Sequence, residues 1–201
     1  MYLDTLAVNK AATELLRIKH KTLNDTVQFL SNNNARLNPN VIPQKGAVYV
    51  FWWTGTNSVF KDSSVNRTIK FKGPNQRPVN ITLTDDWLFH RGVDSPIPLY
   101  VGKTADNLSK RIGLHLQLGT ARGLTLGLEA LAEKRKTTSN QVRDRIERMF
   151  LIVKDTRELI LNNVGLSYTI LDGDQESVNR FYLEDKMIGN LFPIFNIDIE
   201  R

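Results

Sequence analysis

The sequence predicts a single α+β domain with a small three-stranded core sheet, mixed or antiparallel, flanked by helices. Three observations support this fold class. Apolar runs rich in β-formers occur at 47–53, 98–102 and 166–171. Segments with apolar residues at helical spacing lie before, between and after these runs. No internal repeat or low-complexity linker divides the 201 residues, so we expect one domain over 1–201.

The composition favours a soluble, cytoplasmic protein. The chain contains no cysteine, which excludes disulfide frameworks, thiolate zinc sites and cysteine nucleophiles and suits a reducing compartment. The N-terminus lacks the basic start and apolar run of a signal peptide. No apolar stretch approaches the ~18 residues that suggest a membrane span, so no membrane partner is expected.

The net charge favours a polyanionic partner. The formal charge is +6 and the isoelectric point is near 9.6, and neutralising phosphates releases their condensed counterions. Basic residues concentrate in two stretches, for which a solvated surface is the alternative reading. These stretches are Lys61, Arg67, Lys70, Lys72 and Arg77, and then Lys134, Arg135, Lys136, Arg143, Arg145 and Arg148.

The N-terminal part predicts helices before the first core strand. Apolar spacing over 4–31 indicates two helices, and Asn- and Pro-containing pairs over 32–43 indicate a loop. The nearly continuous apolar run 47–53 is typical of a buried central strand. Residues 54–57 should turn, and alternation over 65–84 around Gly73 predicts a polar hairpin. A second core strand is expected at 98–102.

Helices should dominate the second half. Asp106 or Asn107 could cap a helix with one apolar stripe of Leu108, Ile112 and Leu116. Residues 119–136 fit both alternation and helical spacing. A clearer helix follows, since Thr138 and Gln141 have capping-box spacing and precede the stripe Val142, Ile146, Met149, Phe150 and Val153. A strand over 166–171 and a final helix over 175–190, closed by Pro193, complete the prediction.

Polar side chains suited to phosphate chemistry occur on both predicted core strands and on the helix that follows them. Tyr49 and Tyr100 lie on the two predicted core strands, and Gly102 and Lys103 follow Tyr100. A glycine permits close approach of another group, and a lysine can face a phosphate. Arg111 and His115 are four residues apart and project from one helix face, which suits a phosphate that gains charge. A surface arginine with a partly buried histidine is the alternative.

An acidic residue in the final helix is the candidate metal ligand. Glu184 has Phe181, Met187 and Ile188 as helical neighbours, and a buried carboxylate is costly unless it is paired or bound to metal. Arg180, one turn earlier, could pair with it. Mg²⁺ commonly uses one or two protein carboxylates together with water and phosphate.

Taken in order, these residues resemble the GIY-YIG nuclease superfamily over residues 46–196. The matching elements are Ala47-Val48-Tyr49, Tyr100-Val101-Gly102, Arg111 with His115, Glu184, and Pro193-Ile194-Phe195-Asn196. Ala47 replaces the first glycine of the family pattern, although Gly46 precedes it, and valine replaces both isoleucines. Residues 1–40 are then a helical N-terminal extension, and 55–97 an insertion that resembles those of the type II restriction endonucleases of the family.

The resemblance implies a separate role for each of these residues in the cleavage of a phosphodiester. Glu184 would hold Mg²⁺ or Mn²⁺, and Tyr49, as phenolate, would be the general base. Because a free phenol has a pKa of about 10, the cations Lys103 and Arg111 would have to lower it while binding phosphate.

The remaining implied roles concern orientation. Tyr100 and His115 would orient water or phosphate, with His115 as an alternative base. Asn196 would bind a phosphate or hold the loop after the Glu184 helix.

The function implied is that of a metal-dependent DNA endonuclease of restriction type. Two active centres would cut two strands, so a homodimer is expected at least on DNA. The alternatives are a structure-specific repair or mobile-element nuclease and a catalytically inactive nucleic-acid-binding module.

Overall fold

The computed structural model describes residues 2–30, 34–72, 77–90, 92, 95–118 and 141–196. The helices there are α1 Thr5–Leu15, α2 Asp85–Phe89, α3 Leu108–Leu116, α4 Gln141–Met149, α5 Thr156–Asn163 and α6 Ser177–Leu191. The strands are β1 Val27–Phe29, β2 Ala35–Leu37, β3 Ala47–Trp53, β4 Thr68–Lys72, β5 Pro78–Thr82, β6 Ile97–Thr104 and β7 Val164–Ile170. Short 3₁₀ turns occupy Leu23–Thr26, Asn57–Lys61 and Asp174–Glu176.

The three-stranded core sheet is antiparallel with the order β6-β3-β7, which confirms the α+β class. All seven side chains of β3 are buried, because helices or loops cover both faces of the sheet. This explains the continuous apolar run, which an exposed sheet face would have interrupted. Tyr49, Phe51 and Trp53 belong to one core, here called the first face. Val48, Val50 and Trp52 belong to the other, the second face.

Helix α1 is an integral part of the second face. Leu15 is fully buried against the sheet side chains of that core. Ser167 on β7 donates its hydroxyl to the Leu15 carbonyl over 2.6 Å and accepts the Trp52 indole N–H over 2.8 Å. A buried polar chain of this kind is satisfied at both ends. The N-terminal segment outside the family resemblance therefore closes the core.

The second helix expected within 4–31 is wrong. Thr26 donates its hydroxyl to the Leu23 carbonyl over 2.7 Å in a 3₁₀ turn, and the chain then extends into β1, which pairs antiparallel with β2. The spacing of Leu23, Val27 and Leu30 looked helical, but the segment is only two turns long. Pairing with β2 outweighs so short a pattern. The 1–40 extension is thus one helix and a hairpin.

The insertion over 55–97 contains the expected hairpin and an unexpected helix. Strands β4 and β5 pair antiparallel, while the turn expected at 73–75 lies outside the described residues. Helix α2 is capped by Thr84, whose hydroxyl accepts the Trp87 backbone N–H over 3.2 Å. Arg67 pairs with Asp85 at 2.6 Å and donates to the Phe60 carbonyl, so this member of the first basic stretch ties the insertion together.

Helix α4 is confirmed, and its position corrects the interpretation of the second basic stretch. The stripe Val142, Ile146 and Met149 is buried. Arg143, 2% exposed, pairs with Glu147 at 2.8 Å, and Arg148 pairs with Asp144 at 2.9 Å. Arg143 is therefore a buried structural residue, and the partly buried Arg148 is held by a carboxylate of its own helix. Residues 134–136, the ambiguous 119–136 segment and Thr138 of the capping box lie outside the described residues.

The remaining elements follow the sequence closely. Asn107 caps α3 by accepting the Lys110 N–H over 2.8 Å, β6 and β7 extend the expected strands by a few residues, and α6 corresponds to the final helix. Helix α5 was not expected. In the described part of the chain, none of the helices is both long and apolar enough to cross a membrane.

Candidate active site

Tyr49 and Gly102 form the structural centre of the site. They are directly opposite on β3 and β6. A Cβ added at Gly102 would lie 2.5 Å from the Tyr49 hydroxyl oxygen and 2.7 Å from Cε1 of Tyr100. Both phenol rings therefore occupy the space that any side chain would need. The Tyr-x-Gly spacing has a steric cause, because the glycine makes room for two adjacent phenols.

Gly46, just before β3, is also required for steric reasons. A Cβ there would collide with the Ala105 carbonyl and lie 2.9 Å from the Leu171 carbonyl oxygen. The position that must be glycine is thus 46, while the neighbouring Ala47 fits into the core. The departure from the family pattern at residue 47 therefore has no steric consequence.

Helix α3 places His115 against the Tyr49 hydroxyl. Leu108, Ile112 and Leu116 are fully buried and fix the helix on the first face. His115 Nε2 lies 2.7 Å from the Tyr49 hydroxyl oxygen in a buried hydrogen bond. The His115 ring is also 4.9 Å from the Tyr100 ring, centroid to centroid. Two phenols and an imidazole thus form one contact group.

Arg111 brings a positive charge to this group, as the four-residue spacing predicted. Its guanidinium interacts with both phenols and lowers their pKa values against the effect of burial. The Arg111 Nε is buried, and no residue in the described ranges accepts its proton. A buried donor without a partner is costly, so this nitrogen is suited to an incoming acceptor such as a phosphate oxygen.

The protonation states differ from the phenolate expectation. Burial raises the pKa of Tyr49 above its ordinary value, the neighbouring Tyr100 adds to the rise, and Arg111 only partly offsets it. Burial raises the pKa of Tyr100 as well. Burial lowers the pKa of His115 to about 3, with a further contribution from Arg111. At neutral pH the site holds two neutral phenols and a neutral imidazole.

Glu184 pairs with Lys103 at the edge of this group. The Lys103 ammonium contacts the Glu184 carboxylate in an ion pair, and the Glu184 side chain is 13% exposed. Arg180, the alternative partner, donates instead to the carbonyls of Leu171 and Gly173. The lysine expected to bind phosphate is thus held by the carboxylate expected to bind metal.

The carboxylate remains within electrostatic reach of the phenols although α6 and α3 pack on opposite faces of the sheet. Burial is the main cause of the raised pKa of Tyr49, and Glu184 adds a smaller contribution. Glu184 also raises the pKa of Tyr100. The fold therefore brings Tyr49, Tyr100, Arg111 and His115 into contact on the first face, while the ion pair of Glu184 and Lys103 lies within electrostatic range of the two phenols.

For a divalent ion the site offers one protein carboxylate, that of Glu184. Among the described residues, no group of three or more histidines and carboxylates could bind a metal by itself. Mg²⁺ typically keeps several waters and takes one or two carboxylates plus substrate phosphate. The partly buried Glu184 carboxylate, whose cationic partner Lys103 is itself 37% exposed, meets that modest demand.

The Asn196 side chain hydrogen-bonds to the backbone of β6. Its Oδ1 accepts the Val101 N–H over 2.7 Å and its Nδ2 donates to the Val101 carbonyl over 2.8 Å. Ile194 and Phe195 donate backbone N–H groups to Pro98 and Leu99 on the same strand. Of the two roles considered, this supports holding the segment after α6, because both ends of the amide are already engaged.

Comparisons with protein-family models, curated proteins and solved structures found no match.

Proposed function

We propose that this chain is a metal-dependent endonuclease that hydrolyses DNA phosphodiester bonds, a restriction-type member of the GIY-YIG superfamily. The observation that carries the proposal is the hydrogen bond between the Tyr49 hydroxyl and His115 Nε2, with Arg111 and Tyr100 at the same point and Glu184 in reach. The buried Arg111 Nε, which has no acceptor among the described residues, is costly in a purely structural core.

Arg111 supplies the phosphate contact in this proposal. A phosphodiester gains negative charge as water attacks, and a preorganised guanidinium stabilises that charge more in the transition state than in the ground state. The unpartnered Nε provides a donor for one phosphate oxygen. Tyr100, whose ring packs beside those of Tyr49 and His115, orients the same phosphate or the attacking water.

Proton removal from water uses Tyr49 and His115 together. Since Tyr49 keeps its proton, it acts as a relay: its oxygen accepts a proton from water while its own proton passes to His115 Nε2. This returns Tyr49 to a phenol and leaves an imidazolium. The cost of charging His115 falls when a bound phosphate neutralises Arg111, whose charge otherwise lowers the pKa of His115.

Glu184 is the residue that would hold Mg²⁺ or Mn²⁺. Such an ion would polarise the phosphate and stabilise the departing oxygen. Lys103 would then exchange its contact with Glu184 for a phosphate oxygen, which reconciles its present position with the expected role.

The net charge of +6 supports DNA as the substrate. Double-strand cleavage would require two copies of the site, and hence a homodimer on DNA. A cytoplasmic location, suggested by the lack of cysteine, is part of the same proposal.

The test is incubation of plasmid and phage DNA with the protein in Mg²⁺ or in EDTA. We expect discrete fragments in Mg²⁺ only, from the parent and from Glu158→Gln, an exposed control on α5. Glu184→Gln should give none while still binding DNA. A smear would contradict site specificity. Binding without any product would identify an inactive nucleic-acid-binding module.

A further inference from the structure

A polar cleft lies on the side of α3 away from the tyrosines. Its volume is 360 Å³, and it runs between β2 and α3. The polar side chains that line it are Arg36, Gln44, Asn107, Ser109, Lys110 and Gln117. The short β1–β2 hairpin, which lies outside the family resemblance, forms one wall.

The cleft carries an uncompensated positive charge. Arg36 and Lys110 are exposed and come from different elements. The described residues that line the cleft include no carboxylate, and within the described ranges neither cation forms an ion pair. The adjacent Lys45 is exposed too. By contrast, Arg143 and Arg148 are held by carboxylates within α4.

A glycine in the middle of α3 keeps the cleft open. Gly113 is part of the cleft wall, and among the described residues a Cβ added there would meet only Cδ1 of Leu37, at 4.0 Å. Packing therefore does not require glycine, yet glycine inside a helix is less favourable than alanine by about 1 kcal/mol. The absence of a side chain at Gly113 leaves room for a ligand to approach the helix backbone at the cleft wall.

One helix separates this cleft from the active site. Arg111 and His115 face the phenols, while Lys110, Gly113 and Gln117 face β2. Lys110 directly precedes Arg111 in the chain, so a polyanion that contacts both residues must carry closely spaced charges. DNA meets this requirement, with one charge per ~1.7 Å of duplex axis.

We propose that this cleft binds the DNA backbone beside the scissile phosphate, with Arg36 and Lys110 each contacting a phosphate. The inference rests on the proposed function, since it uses the active site to place the scissile phosphate. It assigns the β1–β2 hairpin a role in substrate binding.

The test is duplex DNA binding by fluorescence anisotropy without divalent ions, in the Glu184→Gln background, from 50 to 200 mM salt. Arg36→Gln/Lys110→Gln is compared with Lys10→Gln/Arg17→Gln, which removes the same charge from the exposed surface of α1 and its C-terminal end. In a plot of log binding constant against log salt concentration, loss of two phosphate contacts lowers the magnitude of the slope by about 1.8. The ratio of the parent's binding constant to that of the Arg36→Gln/Lys110→Gln variant should therefore fall about twelvefold between 50 and 200 mM salt. The α1 pair should keep the parent slope.

Gly113→Glu and Gly113→Gln provide an independent comparison, because both fill the cleft equally but only one adds a negative charge. We expect Gly113→Glu to bind DNA more weakly than Gly113→Gln. Thermal melting of each variant checks folding.

Equal losses in the two double variants, or an unchanged salt slope in both, would overturn the cleft assignment. Failure of the parent to bind DNA would overturn it as well. If binding depends on Arg36 and Lys110 but the parent does not cleave DNA in Mg²⁺, the cleft assignment stands as a DNA-binding surface and the proposed nuclease activity fails.

Discussion

The neutral state of His115 has a measurable consequence for stability. Burial holds its pKa at about 3 in the folded chain, against about 6.5 when unfolded. As pH falls below 6.5, the unfolded chain takes up a proton that the folded chain cannot accept. The folded state therefore loses stability progressively as pH falls from 6.5 toward 3, and is least affected above 6.5.

The size of this loss follows from the two pKa values. Between pH 7.5 and pH 5 the histidine should cost about 2 kcal/mol of unfolding free energy, rising to about 5 kcal/mol below pH 3. Urea unfolding at several pH values measures it. His115→Gln is expected to be less stable than the parent at pH 7.5, but its unfolding free energy should fall by about 2 kcal/mol less than that of the parent between pH 7.5 and 5.

Two features make the comparison specific to His115. Burial also lowers the pKa of His20, but this contribution is common to parent and variant and cancels in the difference. His90→Gln, at an exposed position, should retain the pH dependence of the parent. Identical pH dependence in the parent and in His115→Gln would refute a buried, neutral histidine, and with it the proton relay through Tyr49.

Two further variants test the packing that supports the site. Gly102→Ala should displace the Tyr49 hydroxyl, 2.5 Å from the new methyl group, and lower the DNA cleavage rate by about 100-fold. Gly189→Ala, whose added Cβ has no atom of a described residue within 4 Å, should leave cleavage unchanged and raise stability by about 0.5–1 kcal/mol. Arg143→Ala should lower the unfolding free energy by about 3–5 kcal/mol by breaking its buried ion pair with Glu147, and an apolar replacement of both residues should recover most of that loss in urea unfolding. Normal cleavage by Gly102→Ala, or an unchanged midpoint for Arg143→Ala, would count against these assignments.

The parts of the fold that the sequence predicts well are those whose pattern reflects burial directly. β3 is covered on both faces, so its seven residues form one apolar run. Arg111 and His115 are four residues apart on a helix, and this local periodicity alone places them on one face. Helix α6 is long enough for its spacing to be unambiguous.

The parts that escaped prediction depend on contacts between distant residues. β1 and β2 are three residues each and exist because they pair with one another. The ion pair between Lys103 and Glu184 joins residues 81 positions apart, so no local pattern indicates it. Tyr49 stays protonated because burial by distant parts of the chain raises its pKa more than the nearby Arg111 lowers it.

The most direct test is the rate of DNA cleavage in Mg²⁺ by Tyr49→Phe, measured in a single turnover with DNA binding followed in parallel. Tyr168→Phe is the matched control, because Tyr168 lies opposite Tyr49 on β7 and its hydroxyl contacts the Val41 carbonyl. We predict that Tyr49→Phe binds DNA but does not cleave it, whereas Tyr168→Phe cleaves at the parent rate. Cleavage at the parent rate by Tyr49→Phe would contradict the proposed reaction.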